Sequence, residues 1–87
     1  MFAVVYHYRI PLEKTHEYVH LEKQAIKIYL ESGCSGVEIF RDADDPSRWM
    51  EINRFEDREH YERVIGVVDE DPRIRKLFEE FTGPRRR

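Results

Sequence analysis

The sequence contains few of several residue types that usually define a protein class. Its 87 residues include one cysteine, one asparagine, one glutamine and one tryptophan. The single cysteine, Cys34, excludes an internal disulfide and is typical of a reducing compartment. No run of eighteen apolar residues occurs, which excludes a membrane-spanning helix. Residues 1–6 lack the basic flank and the cleavage site of a signal peptide, so we predict a cytoplasmic protein.

Positive charge is also scarce outside the C-terminus. The net charge is −3, and the three final arginines contribute +3, so residues 1–84 carry −6. Because nucleic-acid binding requires a basic surface that neutralises phosphates, this acidic body disfavours such a partner. We predict a single domain over residues 1–84 and a solvated basic tail over Arg85–Arg87. A chain this short buries a small core, so a second copy is an expected source of stability.

The spacing of the apolar residues predicts the element order β-α-β-β-α-α. Alternating apolar residues indicate strands, and apolar residues every three or four positions indicate helices. Gly33 suits the left-handed residue that follows a helix. Asp57 and Asp71 suit helix N-caps, and Pro72 suits a first helical position. The predicted strands are 2–10, 35–41 and 48–55, and the predicted helices are 12–32, 58–68 and a last helix from residue 72 to before residue 83.

This order predicts an α+β, ferredoxin-like fold, in which a split β-α-β sheet carries its helices on one face. Since residues 83–87 read Gly-Pro-Arg-Arg-Arg, we predict no counterpart of the fourth strand usual in such sheets. Phe40, Trp49 and Phe55 are assigned to the sheet face without helices. Since that face should otherwise be polar, we predict that the same face of a second copy covers it, giving a homodimer.

Three segments carry a resemblance to a known family. They are the string Gly33-Cys34-Ser35-Gly36-Val37-Glu38-Ile39-Phe40-Arg41-Asp42, the acidic turn with Asp45-Pro46, and Trp49 to Tyr61, where a strand ends in an aromatic residue before an acidic helix cap. With the strand-then-long-helix opening, the chain from residue 2 to about 81 resembles the dimeric α+β barrel superfamily, and especially antibiotic-biosynthesis-monooxygenase-like domains.

The resemblance implies a ligand cavity between the helices and the sheet of each subunit. It also implies a function among those of the family, which includes cofactor-free oxygenases of quinols or polyketides, haem-degrading enzymes and domains without known activity. The haem-degrading members use an asparagine on the first strand, and residues 2–10 contain none. Many members place a histidine late in the helix after the hairpin, whereas His60 lies too early to match it.

Glu22 is the first candidate catalytic residue. A turn of about 100° per residue places it in the apolar stripe of the long helix, among Tyr18, Ala25 and Tyr29. A buried carboxyl loses hydration, which favours its neutral form and makes it a candidate acid or base. The alternative is that Glu22 pairs with an arginine of the sheet or of a second copy, or reaches water at the rim of the dimer.

His7 is the second candidate catalytic residue, because imidazole titrates near neutral pH; a purely structural strand histidine is the alternative. Trp49 alternates with Glu51 and Asn53 along one strand face, a pattern that favours an interface between copies over a pocket. Aromatic residues in such places supply hydroxyls or rings to a ligand, or simply belong to the core. The candidate ligand-binding residues are Tyr6, Tyr18, Tyr29 and Trp49.

The string His16-Glu17-Tyr18-Val19-His20 matches the H-E-x-x-H spacing of zinc peptidases. No third ligand is identified, and His20 faces away from the apolar stripe. Two solvated histidines are the simpler interpretation, and a zinc hydrolase is a distant alternative. No metal ligand and no cofactor are therefore assigned.

The prediction from the sequence is a small dimeric α+β barrel protein. It binds, or oxidises without a cofactor, a small aromatic or quinol-like molecule. The alternative is a non-catalytic structural or regulatory dimer in which the same side chains only pack.

Overall fold

A computed structural model describes residues 1–80 of the chain, and its elements follow the predicted order. The strands are β1 (Phe2–Arg9), β2 (Gly36–Arg41) and β3 (Arg48–Phe55), and the helices are α1 (Thr15–Glu31), α2 (Arg58–Glu70) and α3 (Pro72–Glu80). A single 3-10 turn, Leu12–Lys14, leads from Pro11 into α1. The predicted end of the last helix at Gly83 and the basic tail 85–87 lie outside the described residues.

The three strands form one antiparallel sheet in the order β1-β3-β2. The central strand is the last in sequence, so β1 and β2 run parallel to each other on either side of it. This is the split β-α-β arrangement, and the predicted α+β, ferredoxin-like fold is confirmed. Three strands are present in residues 1–80, and none of these residues supplies a fourth.

The strand pairing decides which side chains share a face. Phe2 pairs with Phe55, and Tyr8 pairs with Trp49. All four of these side chains pack in the core with the helices. We call the helix-covered side of the sheet the inner face and the opposite side the outer face.

The structure corrects the assignment of Trp49 and Phe55 to the face without helices. Both are buried on the inner face, with 9% and 1% of their surface exposed. The residues that alternate with them, Met50 and Ile52, point outward instead. The assignment of Phe40 to the face without helices is confirmed, because Phe40 is 44% exposed and lies beside Met50 on the outer face.

The long helix α1 covers the inner face with one side. Its buried residues are Tyr18, Leu21, Glu22, Ala25, Ile28 and Tyr29. A turn of about 100° per residue also predicts Val19 and Leu30 in this apolar stripe, but they are 37% and 47% exposed. The stripe is therefore rotated toward Leu21 and Ile28, and Glu22 lies within it. No helix of residues 1–80 is long and apolar enough to cross a membrane.

Local signals fix the ends of the helices. Gly33 has a φ of 111° and its N–H bonds the carbonyl of Leu30 at 3.1 Å, which ends α1 in a left-handed residue. Asp57 caps α2 by accepting the N–H of His60 at 2.7 Å. Asp71 accepts the N–H of Arg73 at 2.8 Å at the start of α3. Both predicted acidic caps are confirmed.

Two glycines test this account of the backbone. Gly33→Ala forces an L side chain into the left-handed region, so we expect it to lower the free energy of unfolding by about 1–2 kcal/mol. Gly66 lies inside α2 with nothing within 4 Å of an added Cβ. Gly66→Ala should therefore raise the free energy of unfolding by about 0.5–1 kcal/mol. Urea unfolding measures both, and equal effects of the two substitutions would contradict the assignment.

Candidate functional site

Three polar side chains are buried between α1 and the sheet. Glu22 is 4% exposed, and Glu51 and Asn53 are 0% exposed. Glu51 and Asn53 follow Trp49 along the inner face of β3, because alternate residues of a strand point to the same side. No lysine, arginine or histidine is buried within residues 1–80. The charged side chains in the core of the described fold are therefore both acidic.

The course of α1 places Glu22 over the same part of the sheet as Glu51. The ring of Tyr18, near the start of α1, lies 4.8 Å from the ring of Trp49, near the start of β3. Cys34, just after α1, donates its thiol to the carbonyl of Arg54, near the end of β3. The helix and the strand therefore run in the same direction.

Equal steps along both elements then place the two carboxyls at a similar level of the layer. Glu22 lies one helical turn beyond Tyr18, about 6 Å along the axis at 1.5 Å per residue. Glu51 lies two residues beyond Trp49, about 7 Å along the strand. Both side chains are buried in the layer between helix and sheet.

Aromatic side chains surround this pair. The hydroxyls of Tyr8 and Tyr18 are hydrogen-bonded to each other, and the two rings meet edge to face at 5.7 Å. Tyr6 is the cross-strand neighbour of Glu51 on β1. Tyr29 is 1% exposed, two turns beyond Glu22 on α1. The predicted ligand-binding residues Tyr6, Tyr18, Tyr29 and Trp49 thus lie on the same side of the sheet as Glu22.

Two of the buried groups have polar atoms without a partner in residues 1–80. They are the amide of Asn53, through both Nδ2 and Oδ1, and the indole Nε1 of Trp49. A buried amide that makes no hydrogen bond costs free energy, and native proteins rarely keep one without a reason. These atoms are also closed to water, so a ligand reaches them only when neighbouring side chains or α1 move.

His7 belongs to a different surface. It is exposed on the outer face, where its cross-strand neighbour on β3 is Met50. There it lines a groove of about 310 Å³ together with Phe40 and Met50. Because the sheet separates His7 from Glu22, the two candidate catalytic residues do not form one site.

A second groove lies between α1 and α3. Its volume is about 460 Å³, with Ile28 and Leu77 among its lining and Gln24, Lys27 and Lys76 around it. Arg73 lines it too, but this guanidinium is already held by Glu31 at 3.2 Å and by Asp71 at 2.9 Å. The groove is separate from the buried carboxyls.

The histidine pair of the zinc hypothesis is solvent-facing. His16, Glu17 and His20 are all exposed on α1. Within residues 1–80, no three His, Cys, Asp or Glu side chains are grouped so that they could hold a metal ion. The spacing H-E-x-x-H therefore has no third ligand in the described fold.

Two further titratable groups near the sheet, Cys34 and Asp45, contribute to the local structure. Burial raises the pKa of the Cys34 thiol, which also donates to the carbonyls of Gly36 and Arg54 at 3.3 Å. Hydrogen bonds from Ser47, and then from Arg9 at 2.7 Å, lower the pKa of Asp45 to about 2. Asp45 thus fixes the turn between β2 and β3, as the acidic turn in the sequence indicates.

Sequence reasoning did not assign catalytic or binding roles to Glu51 and Asn53. Their alternation with Trp49 was visible, but the whole row was placed preferentially at an interface. The inner face of β3 is identified by its pairing with β1. Glu51 lies opposite Tyr6 and Asn53 lies opposite Val4, so all four side chains are on the same side of the sheet.

The comparisons with known proteins agree with this architecture. A sequence model of the family described as antibiotic biosynthesis monooxygenase matches residues 1–64. A crystal structure of an antibiotic biosynthesis monooxygenase superposes with a TM-score of 0.72 at 17% identity, covering 92% of this chain and 81% of that one. A conserved protein from Methanosarcina mazei Go1 gives a TM-score of 0.71 at 19% identity, covering 90% and 74%. No curated protein matches the sequence significantly.

The Asn53 amide yields a prediction about stability. Asn53→Leu keeps the shape of the side chain and removes two polar atoms that lack partners. We expect this substitution to raise the free energy of unfolding by about 1–3 kcal/mol in urea. Gln24→Leu, at the chain's other amide, lies on the exposed side of α1 and should stay within about 0.5 kcal/mol of wild type. A loss of stability in Asn53→Leu would show that the amide holds the fold together.

Proposed function

The chain belongs to the antibiotic biosynthesis monooxygenase family, and from this membership we propose that it is a homodimer that binds a small aromatic or quinol-like molecule. The ligand enters between α1 and the inner face of the sheet. There it is oxidised by O2 without a bound cofactor. The similar solved structures support the fold, and the arrangement of the buried side chains supports the site.

The observation that carries the proposal is that the amide of Asn53 and the indole of Trp49 are both buried on the inner face of β3, four residues apart. Both present polar atoms without partners within residues 1–80, in a layer whose other side chains are mostly aromatic and aliphatic. A ligand with a flat ring fits among the aromatic side chains, and its oxygens supply the missing hydrogen bonds. Pockets for small molecules usually have this composition, with mostly apolar walls and a few polar groups that fix orientation.

Glu22 supplies the base for the proposed oxidation. Glu22 accepts a proton from a ligand hydroxyl, which leaves an electron-rich phenolate. The ring then gives two electrons to O2, and the second hydroxyl loses its proton. The quinol becomes a quinone, and O2, with two electrons and two protons, becomes H2O2. Asn53 and Trp49 orient the ring by hydrogen bonds to its oxygens, which positions it for this step.

The outer face supports the proposed dimer. Val5 is 48% exposed and Phe40 is 44% exposed, and Met50 and Ile52 lie between them on the central strand. Arg54 and Glu38 form an ion pair at the edge of this patch. An apolar centre with a charged rim is typical of an interface. When the outer faces of two copies pack against each other, the patch is removed from water.

Hydroquinone tests the binding and the oxidation together. Calorimetry should show saturable binding to the wild type and about three- to tenfold weaker binding to Asn53→Leu and Trp49→Phe, because each loses hydrogen bonds to the ligand. Gln24→Leu is the matched control and should bind as the wild type does. Glu22→Gln should lower O2 uptake and H2O2 release by about a hundredfold or more while binding is kept.

The outcomes separate the two parts of the proposal. Binding without O2 uptake would contradict the oxidation and leave a small-molecule-binding protein. No binding of hydroquinone, or equal binding by Asn53→Leu and the wild type, would contradict the site itself.

A charged substitution on the outer face tests the proposed dimer. Val5→Lys should convert a dimer to a folded monomer at micromolar concentration, because it buries an unpaired ammonium in the proposed interface. Val67→Lys, at a 56% exposed position on α2, is the matched control and should stay dimeric. Analytical ultracentrifugation measures both. A wild type that is folded and monomeric at this concentration would contradict the dimer.

A further inference from the structure

We infer that the groove between α1 and α3 is a second binding site, which takes a small carboxylate with an apolar tail, such as a free fatty acid. This inference goes beyond the proposed function, because none of the residues proposed to hold the aromatic ligand lines this groove. The arrangement that carries it is an apolar floor between two lysines, one from each helix, whose ammonium groups have no anionic partner.

The floor of the groove is apolar. Ile28 on α1 is 4% exposed, and Leu77 on α3 is half-buried against the core. The lining residues of α1 run from Gln24 to Glu31 along one side of the helix, which is about 10 Å at 1.5 Å per residue. The volume of about 460 Å³ is in the range of small-molecule pockets. An alkyl chain lying between the helices therefore fits the groove and covers its apolar surface.

Lysines from both helices border this floor. Lys27 of α1 and Lys76 of α3 line the groove, and within residues 1–80 the ammonium group of neither has an ion-pair or hydrogen-bond partner. The charge of Arg73, by contrast, is already compensated by Glu31 and Asp71. Two uncompensated positive charges thus flank an apolar strip, which complements a negatively charged head on an apolar tail.

The polar groups of the groove favour a carboxylate head. The amide of Gln24 is exposed on the α1 side and adds an N–H donor, which a carboxylate oxygen accepts. Lysine stems are themselves apolar and pack along an alkyl chain while their charged heads stay in water. Residues 1–84 carry −6, but charges farther than about 8 Å are largely screened at physiological ionic strength. The lysines beside the groove therefore decide which ligand charge is preferred there.

Four compounds test the inference. They are octanoate; octanol, with the same chain and no charge; octylammonium, with the opposite charge; and butyrate, with the same charge and a shorter chain. An NMR titration of the 15N-labelled full-length protein follows the side-chain NH2 of Gln24, the chain's only glutamine. Octanoate should shift this signal saturably and bind about three- to tenfold more tightly than octanol, because each lysine contributes as an exposed ion pair does.

The other two compounds separate the roles of charge and tail. Butyrate should bind about tenfold or more weakly than octanoate, because its chain buries less apolar surface. Octylammonium should bind more weakly than octanol at the Gln24 signal, because the two lysines repel it. Raising NaCl to about 0.5 M should reduce the preference for octanoate over octanol, since salt screens exposed charges.

Variants assign the preference to the two lysines. Lys27→Gln and Lys76→Gln should each weaken octanoate binding by about two- to fivefold and leave octanol binding unchanged. Lys23→Gln is the matched control, because Lys23 is exposed on α1 but does not line the groove. Circular dichroism checks the fold of each variant.

Three results would overturn the inference. The first is octanol binding as tightly as octanoate, or octanoate binding equally to the wild type and to both groove variants. The second is octanoate shifting the NH2 signals of Asn53 instead of those of Gln24, which would put it between α1 and the sheet. The third is a change of oligomeric state in Lys76→Glu by ultracentrifugation, which would make the groove an interface between copies.

Hydroquinone keeps this test separate from that of the proposed function. Hydroquinone binding is read at Asn53 and octanoate binding at Gln24, so each can fail alone. Failure of octanoate with hydroquinone bound overturns only the groove site. Failure of hydroquinone with octanoate bound overturns only the proposed function.

Discussion

The structure depends on one constraint: three polar side chains share the buried layer between α1 and a three-stranded sheet. A domain of this size has little hydrophobic stabilisation to spare, so burying Glu22, Glu51 and Asn53 together is costly. The contact of Tyr18 with Trp49, whose rings lie 4.8 Å apart, helps to hold the helix over the sheet. Since the amide of Asn53 makes no hydrogen bond within residues 1–80, its burial is one basis of the proposed ligand site.

Much of the fold could be predicted because residues at the ends of the helices and strands carry local signals. Gly33 ends the long helix, Asp57 and Asp71 cap the next two, and the acidic turn around Asp45 joins β2 to β3. Each of these residues acts through its own backbone geometry or a hydrogen bond to a near neighbour, so no knowledge of the tertiary structure is needed. The order of elements, read with the family resemblance, then leads to the ferredoxin-like arrangement.

The faces of β3 could not be predicted in the same way. Trp49 and Phe55 alternate with Met50 and Ile52, so both sides of the strand look apolar in the sequence. The register with β1 decides between them, and register is a long-range property. This one ambiguity also affected the site: Glu22 was found from helical periodicity, whereas Glu51 and Asn53 were placed preferentially at an interface. His7 was grouped with Glu22 although the sheet separates them.

The side-chain amides offer the most direct measurement of the central claim. The chain has one asparagine and one glutamine, so a 15N-labelled sample gives two side-chain NH2 groups: Asn53 in the buried layer and Gln24 beside the groove between α1 and α3. In an NMR titration with hydroquinone, the account predicts that the Asn53 signals shift and saturate while those of Gln24 stay in place. A shift of Gln24 alone, or binding that leaves Asn53 unchanged, would contradict it.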